Sequence, residues 1–153
     1  MKTTHALDLC TWDLRFISLA RHISAWSRDP SSKVGCVLVD DRVVVVGMGY
    51  NGFPRGVTEF AARYEDRPTK HLYVQHAAAK AVLNASGPVK GTVAYVTHPP
   101  CASCAGLLIQ AGVRKIIAAV PDATMTPRLK ASFKAAREMA AEAGVELLYV
   151  DGV

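Results

Sequence analysis

From Val93 onward, short β-branched runs alternate with helical stretches that stop at glycine. Val93–Thr97 reads as a strand, Cys101–Ala111 as a helix ending at Gly112, and Lys115–Ala119 as a strand. Thr126–Ala143 then reads as a helix ending at Gly144, and Val145–Val150 as a strand. The strand runs are nearly continuous in apolar character, so they need cover on both faces, and the intervening helices supply it. This alternation predicts a layered α/β sheet with right-handed crossovers wherever neighbouring strands are parallel.

The first half feeds the same sheet. Val34–Val39 and Val43–Tyr50 are two β-branched runs separated by Asp40-Asp41-Arg42, which predicts a hairpin. Asp8 to about Ser27 carries Leu9, Trp12, Phe16, Leu19, Ile23 and Trp26 at helical spacing, and Asp29-Pro30 ends it. Asn51 to Lys70 is the least regular stretch, punctuated by Gly52, Pro54, Gly56 and Pro68. A loop of that length in a small domain is more often functional than idle. A further helix runs from about Val74 to Ala85.

Length and composition narrow the class. The 153 residues, half of them apolar and a fifth charged, predict one domain spanning 1–153 and argue against disorder. No apolar run is long enough to cross a bilayer, and the first ten residues lack the pattern of a secretory leader, so a cytoplasmic protein without membrane partners is expected. The net charge of +5 suits anionic partners but does not choose between nucleotides and nucleic acid. The basic residues are scattered, with no run interleaved by aromatics, which argues against a strand-tracking nucleic-acid groove.

Chemistry concentrates at Pro100-Cys101-Ala102-Ser103-Cys104, where a strand gives way to a helix. Two thiolates in a first helical turn can converge on one ion, and the helix N-terminus favours their charge. Alone, Cys-x-x-Cys is equally a zinc site, a redox dithiol or chance. A redox dithiol is expected after the first strand, and this pair follows the third. His76, at the start of the preceding helix, is by itself a cap or surface residue as readily as a ligand. One histidine with two cysteines leaves a tetrahedral position open, the pattern of a catalytic zinc, unless His71 or His98 closes it.

His76-Ala77-x with Pro100-Cys101-x-x-Cys104 resembles the zinc nucleobase deaminase signature H-x-E…P-C-x-x-C. The resemblance covers most of the chain. Asp29-Pro30-Ser31-Ser32-Lys33-Val34-Gly35, Gly49-Tyr50-Asn51-Gly52-Phe53-Pro54-Arg55-Gly56, Arg67-Pro68-x-Lys70 and Ile109-Gln110-Ala111-Gly112-Val113 look like the deoxycytidylate (dCMP) deaminase branch. It implies a three-layer α/β/α cytidine-deaminase-like fold with a mixed five-stranded sheet. It also implies Zn²⁺ held by His76, Cys101 and Cys104, and hydrolytic deamination of dCMP to dUMP and ammonia, supplying thymidylate synthesis. A homo-oligomer, dimer or hexamer, activated by dCTP and inhibited by dTTP, belongs to the same implication, with Gly52, Phe53 and Arg55 as effector contacts.

One departure bears on activity. The family's proton-shuttling glutamate corresponds to Ala78, and alanine transfers no protons. Either a parent reading His-Ala-Glu carries an inactivating substitution, made to trap a substrate complex, or the chain is a natural pseudoenzyme. The intact remainder of the site favours the first. Lys80 also stands where the family usually has asparagine.

For the substrate, Asn51 suits a sugar or base edge, Arg28, Lys33 and Ser32 suit the phosphate, and Tyr95 suits stacking, with Trp26 and Phe53 as further aromatic candidates; the resemblance implies that the Cys101 or the Ala77 N–H orients the base. Cys10 and Cys36 read as small buried hydrophobes. Rival readings are a deaminase of dCTP or 5-substituted dCMP, a nucleic-acid-acting deaminase, and a non-catalytic nucleotide-binding protein.

Overall fold

In the computed structural model, which describes residues 3–122 and 124–152, the apolar runs form one six-stranded sheet. The ends of the expected 1–153 domain, with residue 123, lie outside those residues. In chain order the elements are β1 (Thr3–His5), α1 (Thr11–Ser24), β2 (Gly35–Val39), β3 (Val45–Tyr50), α2 (Ala61–Glu65), α3 (Arg67–Tyr73), α4 (Ala77–Leu83), β4 (Val93–Val96), α5 (Ala102–Gln110), β5 (Lys115–Ala119), α6 (Pro127–Glu142) and β6 (Glu146–Asp151). The sheet order is β1-β6-β5-β4-β2-β3. β1, β6, β5 and β4 are mutually parallel, whereas β2 runs antiparallel to both β4 and β3. The architecture is the expected mixed α/β fold, with one strand more than expected. The sixth, β1, is three polar residues long, too short for a periodic signal, and its backbone adds to the edge of β6.

Period-two alternation sorts the strands between two cores. On one face Val37, Val39, Val93, Tyr95, Ile117 and Val150 meet Phe16, Ile17, Ala20 and Ile23 of α1. On the other, Cys36, Leu38, Ala94, Val96, Ile116 and Ala118 meet Ala77, Ala78 and Ala81 of α4 and Cys104 and Leu108 of α5. The sheet is thus covered by helices on both sides.

α4 sits unusually close to β3. A Cβ on Gly49 would lie 2.4 Å from the Ala81 nitrogen and 2.5 Å from the Ala77 oxygen, and one on Gly47 would lie 2.5 Å from the Ala81 oxygen. Two glycines on one strand face, opposed by two alanines, let backbone touch backbone. His76, the residue that starts α4, is placed by this contact.

Four local expectations are corrected. Val43 belongs to the hairpin turn rather than to β3, with φ 65. Asp40 Oδ1 accepts from the Arg42 and Val44 N–H groups at 2.9 and 3.0 Å, which fixes the turn and forces a β-branched residue into left-handed backbone. β3 is an edge strand, and Met48 is exposed. Asn51–Lys70 is not a structureless loop. Phe53 is buried and stacks on Tyr64 at 4.4 Å between ring centroids, while Asp66 caps α3 by accepting from the Thr69 N–H. Cys36 is buried as expected, but Cys10 is exposed and caps α1, its sulfur accepting from the Asp13 N–H.

The glycine contact yields a stability prediction. Gly49→Ala drives a methyl group into backbone atoms and is expected to cost about 3 kcal/mol or more, because α4 must move. Gly87→Ala, where nothing lies within 4 Å, serves as the control and is expected to leave stability unchanged. Denaturant midpoints of the two variants check this; an unshifted Gly49→Ala midpoint would contradict the close approach.

Candidate metal centre and nucleotide cavity

Two helix starts meet at one end of the sheet. His76 is the N-cap of α4 and Cys101 the N-cap of α5, both in extended backbone, so each side chain projects from the end of its helix. Gly52 and Gln75 exchange backbone hydrogen bonds of 3.1 and 2.8 Å, fixing the segment that leads into His76. The first turn of α5 is held by the Cys101 sulfur, which accepts from the Cys104 N–H, and by Ser132 of α6, whose hydroxyl accepts from the Ala102 N–H at 2.8 Å.

His76 Nδ1 lies 3.2 Å from Cys104 Sγ and 3.6 Å from Cys101 Sγ, and the three ligand atoms all fall within 4.8 Å of one another. Metal–sulfur and metal–nitrogen bonds of about 2.3 and 2.0 Å in tetrahedral array place N and S about 3.6 Å apart. The spacing of the three atoms therefore suits one face of a tetrahedral metal site. His71 and His98 line the same cavity, but the group with this spacing has three members among the described residues.

The electrostatics suit a cation. The Cys104 thiol donates to Cys101, and despite burial this bond, with His76 and the Cys104 N–H, pulls the Cys101 thiol down to about 4. The same proton sharing, with burial and the Cys101 charge, pushes Cys104 up. The hydrogen bond to Cys101 raises His76 against the opposing effect of burial. A negative sulfur beside a second thiol and an imidazole is a ready ligand set once the remaining proton leaves.

These residues form part of the wall of a cavity of about 610 Å³. Ala78 lines it two positions after His76 and is 3% exposed. Val96, Pro99, Val120, Leu129 and Phe133 supply an apolar wall, and Asp29, Ser31, Ser32 and Asn51 a polar one. That polar wall is organised by Asp29, 1% exposed, which takes a Lys70 ion pair at 2.8 Å and accepts from the Ser31 and Ser32 N–H groups at 2.9 and 3.1 Å. Burial disfavours the carboxylate, but Lys70 and these backbone donors outweigh it and hold Asp29 below the usual carboxylate range.

Of the residues singled out from sequence, His76, Ala77, Ala78, Cys101, Cys104, Ser32 and Asn51 converge on the cavity. Asn51 is already engaged: its Oδ1 accepts from the Val34 N–H at 2.8 Å and its Nδ2 donates to the Ser32 carbonyl at 2.8 Å. The others lie elsewhere. Tyr95 faces α1 across the sheet, where its hydroxyl donates to Asp13 at 2.7 Å, so alternation along β4 removes it from base stacking. Arg28 is exposed outside the cavity, and the Lys33 ammonium turns back to the Ser27 carbonyl. Trp26 packs edge-on against Tyr50 beside a second cavity of about 920 Å³, which Phe53 and Arg55 also line and into which the partly buried Lys80 reaches. Arg67, which the sequence marks only as part of a motif, and His71, which it offers only as a possible fourth ligand, both line the first cavity from α3.

The match to known proteins is extensive. Residues 10–120 match the cytidine and deoxycytidylate deaminase zinc-binding region. The chain is 33% identical over 139 residues to an uncharacterized deaminase of Aliivibrio fischeri, covering 91% of this chain and 93% of that protein. It is 42% identical over 106 residues to a probable deoxycytidylate deaminase of Caenorhabditis elegans and 39% identical over 116 residues to the deoxycytidylate deaminase of Mus musculus. Those alignments cover 67% and 72% of this chain but only 54% and 65% of the two animal proteins. In fold, it matches the dCMP deaminase of cyanophage S-TIM5 with TM-score 0.71 at 22% identity, over 90% of this chain and 95% of that one. Among the described residues no helix is long and apolar enough to cross a membrane.

The Asp29–Lys70 pair yields the second prediction. Asp29→Asn leaves a largely buried ammonium without its partner and is expected to cost about 3 kcal/mol. A carboxylate whose folded pKa lies below the ordinary 3.8 contributes stability in full at neutral pH and loses it as the pH falls through 3.8 toward the folded value. Thermal melts of the chain as it stands should therefore drop over that acid window more steeply than those of Asp29→Asn; parallel curves would contradict the assignment. With its zinc-region match and its deoxycytidylate deaminase relatives, the chain belongs to the cytidine and deoxycytidylate deaminase family.

Proposed function

We propose that the cavity is a dCMP site in which His76, Cys101 and Cys104 hold one zinc ion, and that Ala78 leaves this chain able to bind the nucleotide without turning it over. The convergence of one ring nitrogen and two sulfurs within 4.8 Å, on the wall of a cavity with room for a nucleotide, carries the reading. Supporting it, the cyanophage protein with the same fold has been seen in complex with dCMP and dUMP. When bound, zinc supplies a Lewis acid that polarises a water at neutral pH.

The chain's own residues do the rest. The two helix starts fix the ligand side chains, and the apolar wall of Val96, Pro99 and Phe133 excludes bulk water around the base. The Ala77 N–H, in the first turn of α4, is available to the pyrimidine edge. Hydrolysis replaces the C4–N bond by C4–O, so a group must take a proton from water and return it to the ring and to departing ammonia. Among the described residues the cavity's carboxylates are Asp29, engaged by Lys70, and Asp122, whose Oδ1 accepts from the Thr124 N–H and hydroxyl. Neither is placed as the missing glutamate would be, two residues beyond the ligand histidine. A parent with glutamate at 78 deaminates dCMP. The same reading places dCTP and dTTP, as effectors of an oligomer, at the second cavity with Arg55.

Ala78→Glu is expected to restore conversion of dCMP to dUMP by about 10⁴-fold or more, followed by ultraviolet absorbance, with little change in dCMP affinity. Rapid turnover by the chain as it stands would overturn the role given to position 78. Metal analysis of the purified protein is expected to find about one zinc per chain, lost in Cys101→Ser or Cys104→Ser. A metal-free protein that still binds dCMP would overturn the metal assignment.

A further inference from the structure

α3 presents one stripe to the cavity. Arg67, Lys70, His71 and Val74 follow one another at i, i+3, i+4 and i+7, and all four line the cavity. Val74 sits just beyond the helix and continues the apolar wall. Lys70 is consumed by Asp29, so its charge is already balanced. Arg67 and His71, one turn apart, stay exposed at the mouth, and Arg67 forms no ion pair among the described residues. The acidic groups on the same cavity are both engaged, Asp29 by Lys70 and Asp122 by its own turn. An uncompensated guanidinium and an imidazole thus line the same cavity as Ser31 and Ser32, exposed to solvent.

We propose that Arg67 and His71 grip the 5′-phosphate of the nucleotide, and so set the preference for a nucleoside monophosphate over the bare nucleoside. The inference rests on the reading of the cavity as a nucleotide site. Residues four apart on a helix have Cβ atoms about 5–6 Å apart, so two donors can reach different oxygens of one phosphate monoester. A planar guanidinium can take two of those oxygens in parallel. The Lys70–Asp29 pair acts as a positioning device, tying α3 to the Ser31–Ser32 segment so that the donors stay over the mouth. Arg28 and Lys33, the phosphate candidates from sequence, lack that placement.

Calorimetric titration of the zinc-loaded protein with dCMP and with deoxycytidine tests this. Arg67→Ala is expected to weaken dCMP binding by roughly 10- to 100-fold, the contribution typical of hydrogen bonds to charged groups, and to leave deoxycytidine affinity unchanged. His71→Ala should weaken dCMP alone by several-fold. Arg28→Ala, which removes the same charge outside the cavity, should change neither. An unchanged dCMP affinity in both α3 variants, or an equal loss for both ligands, or an equal effect of Arg28→Ala, would overturn the proposal while the nucleotide site itself stood. A folded, zinc-loaded wild type that binds neither ligand would instead remove the nucleotide reading, and this proposal with it.

Discussion

The site depends on a contact that involves no chemistry at all. Gly47 and Gly49 of β3 let the backbone of α4 rest directly on the strand, closer than any side chain would permit. The helix answers with Ala77 and Ala81, both buried. Because α4 is only seven residues long, its position is set almost entirely by this packing, with little help from helix propensity. The ring of His76 must come within hydrogen-bonding distance of sulfurs that belong to another helix. Displacing α4 by the width of a methyl group separates nitrogen from sulfur by more than metal coordination tolerates.

Much of this was legible in the chain, and the misses share a cause. β5 falls at its expected bounds, because Arg114 and Lys115 open its apolar run and Pro121 soon closes it. Cys101 and Cys104 announce themselves by spacing, and α5 begins where the cysteines predict. The start of α4 lies three residues later than periodicity suggested. Val74 and Gln75 look helical by composition, yet Gln75 pairs with Gly52 in a bridge that only the folded chain can show. Tyr95 was misplaced because a strand covered on both faces gives no hint of which parity faces the cavity. β1 escaped because three polar residues carry no pattern, and its pairing is backbone alone.

That Arg67 and His71 share one cavity-facing stripe is not legible in the chain for a different reason. They lie on a seven-residue helix inside a stretch whose glycines and prolines read as irregular. The available signal was the spacing of Arg67, Lys70, His71 and Val74 with a capping Asp66 ahead of them, a motif too short to stand out against its neighbours. Basic residues near a recognised loop motif, Arg28 and Lys33, drew attention instead. Sequence proximity favours them, whereas the Asp29–Lys70 pair, which joins residues 41 apart, brings α3 to the cavity wall only in the folded chain.

The contacts that position the two helix starts and the side chain at position 78 are separate features of the fold. Ala78 lies inside α4, buried against the same cluster as Cys104 and Leu108. Alanine is the best helix former, so the helix does not suffer. No hydrogen bond that places His76, Cys101 or Cys104 involves the side chain at 78. A carboxylate there would add a proton carrier to a finished cavity without being needed to build it. Gly49 is the opposite case: it has no side chain to offer a substrate, and the placement of His76 rests on that absence. The glycine contact that brings α4 onto β3 leaves no room for a side chain, whereas position 78 takes no part in that close approach.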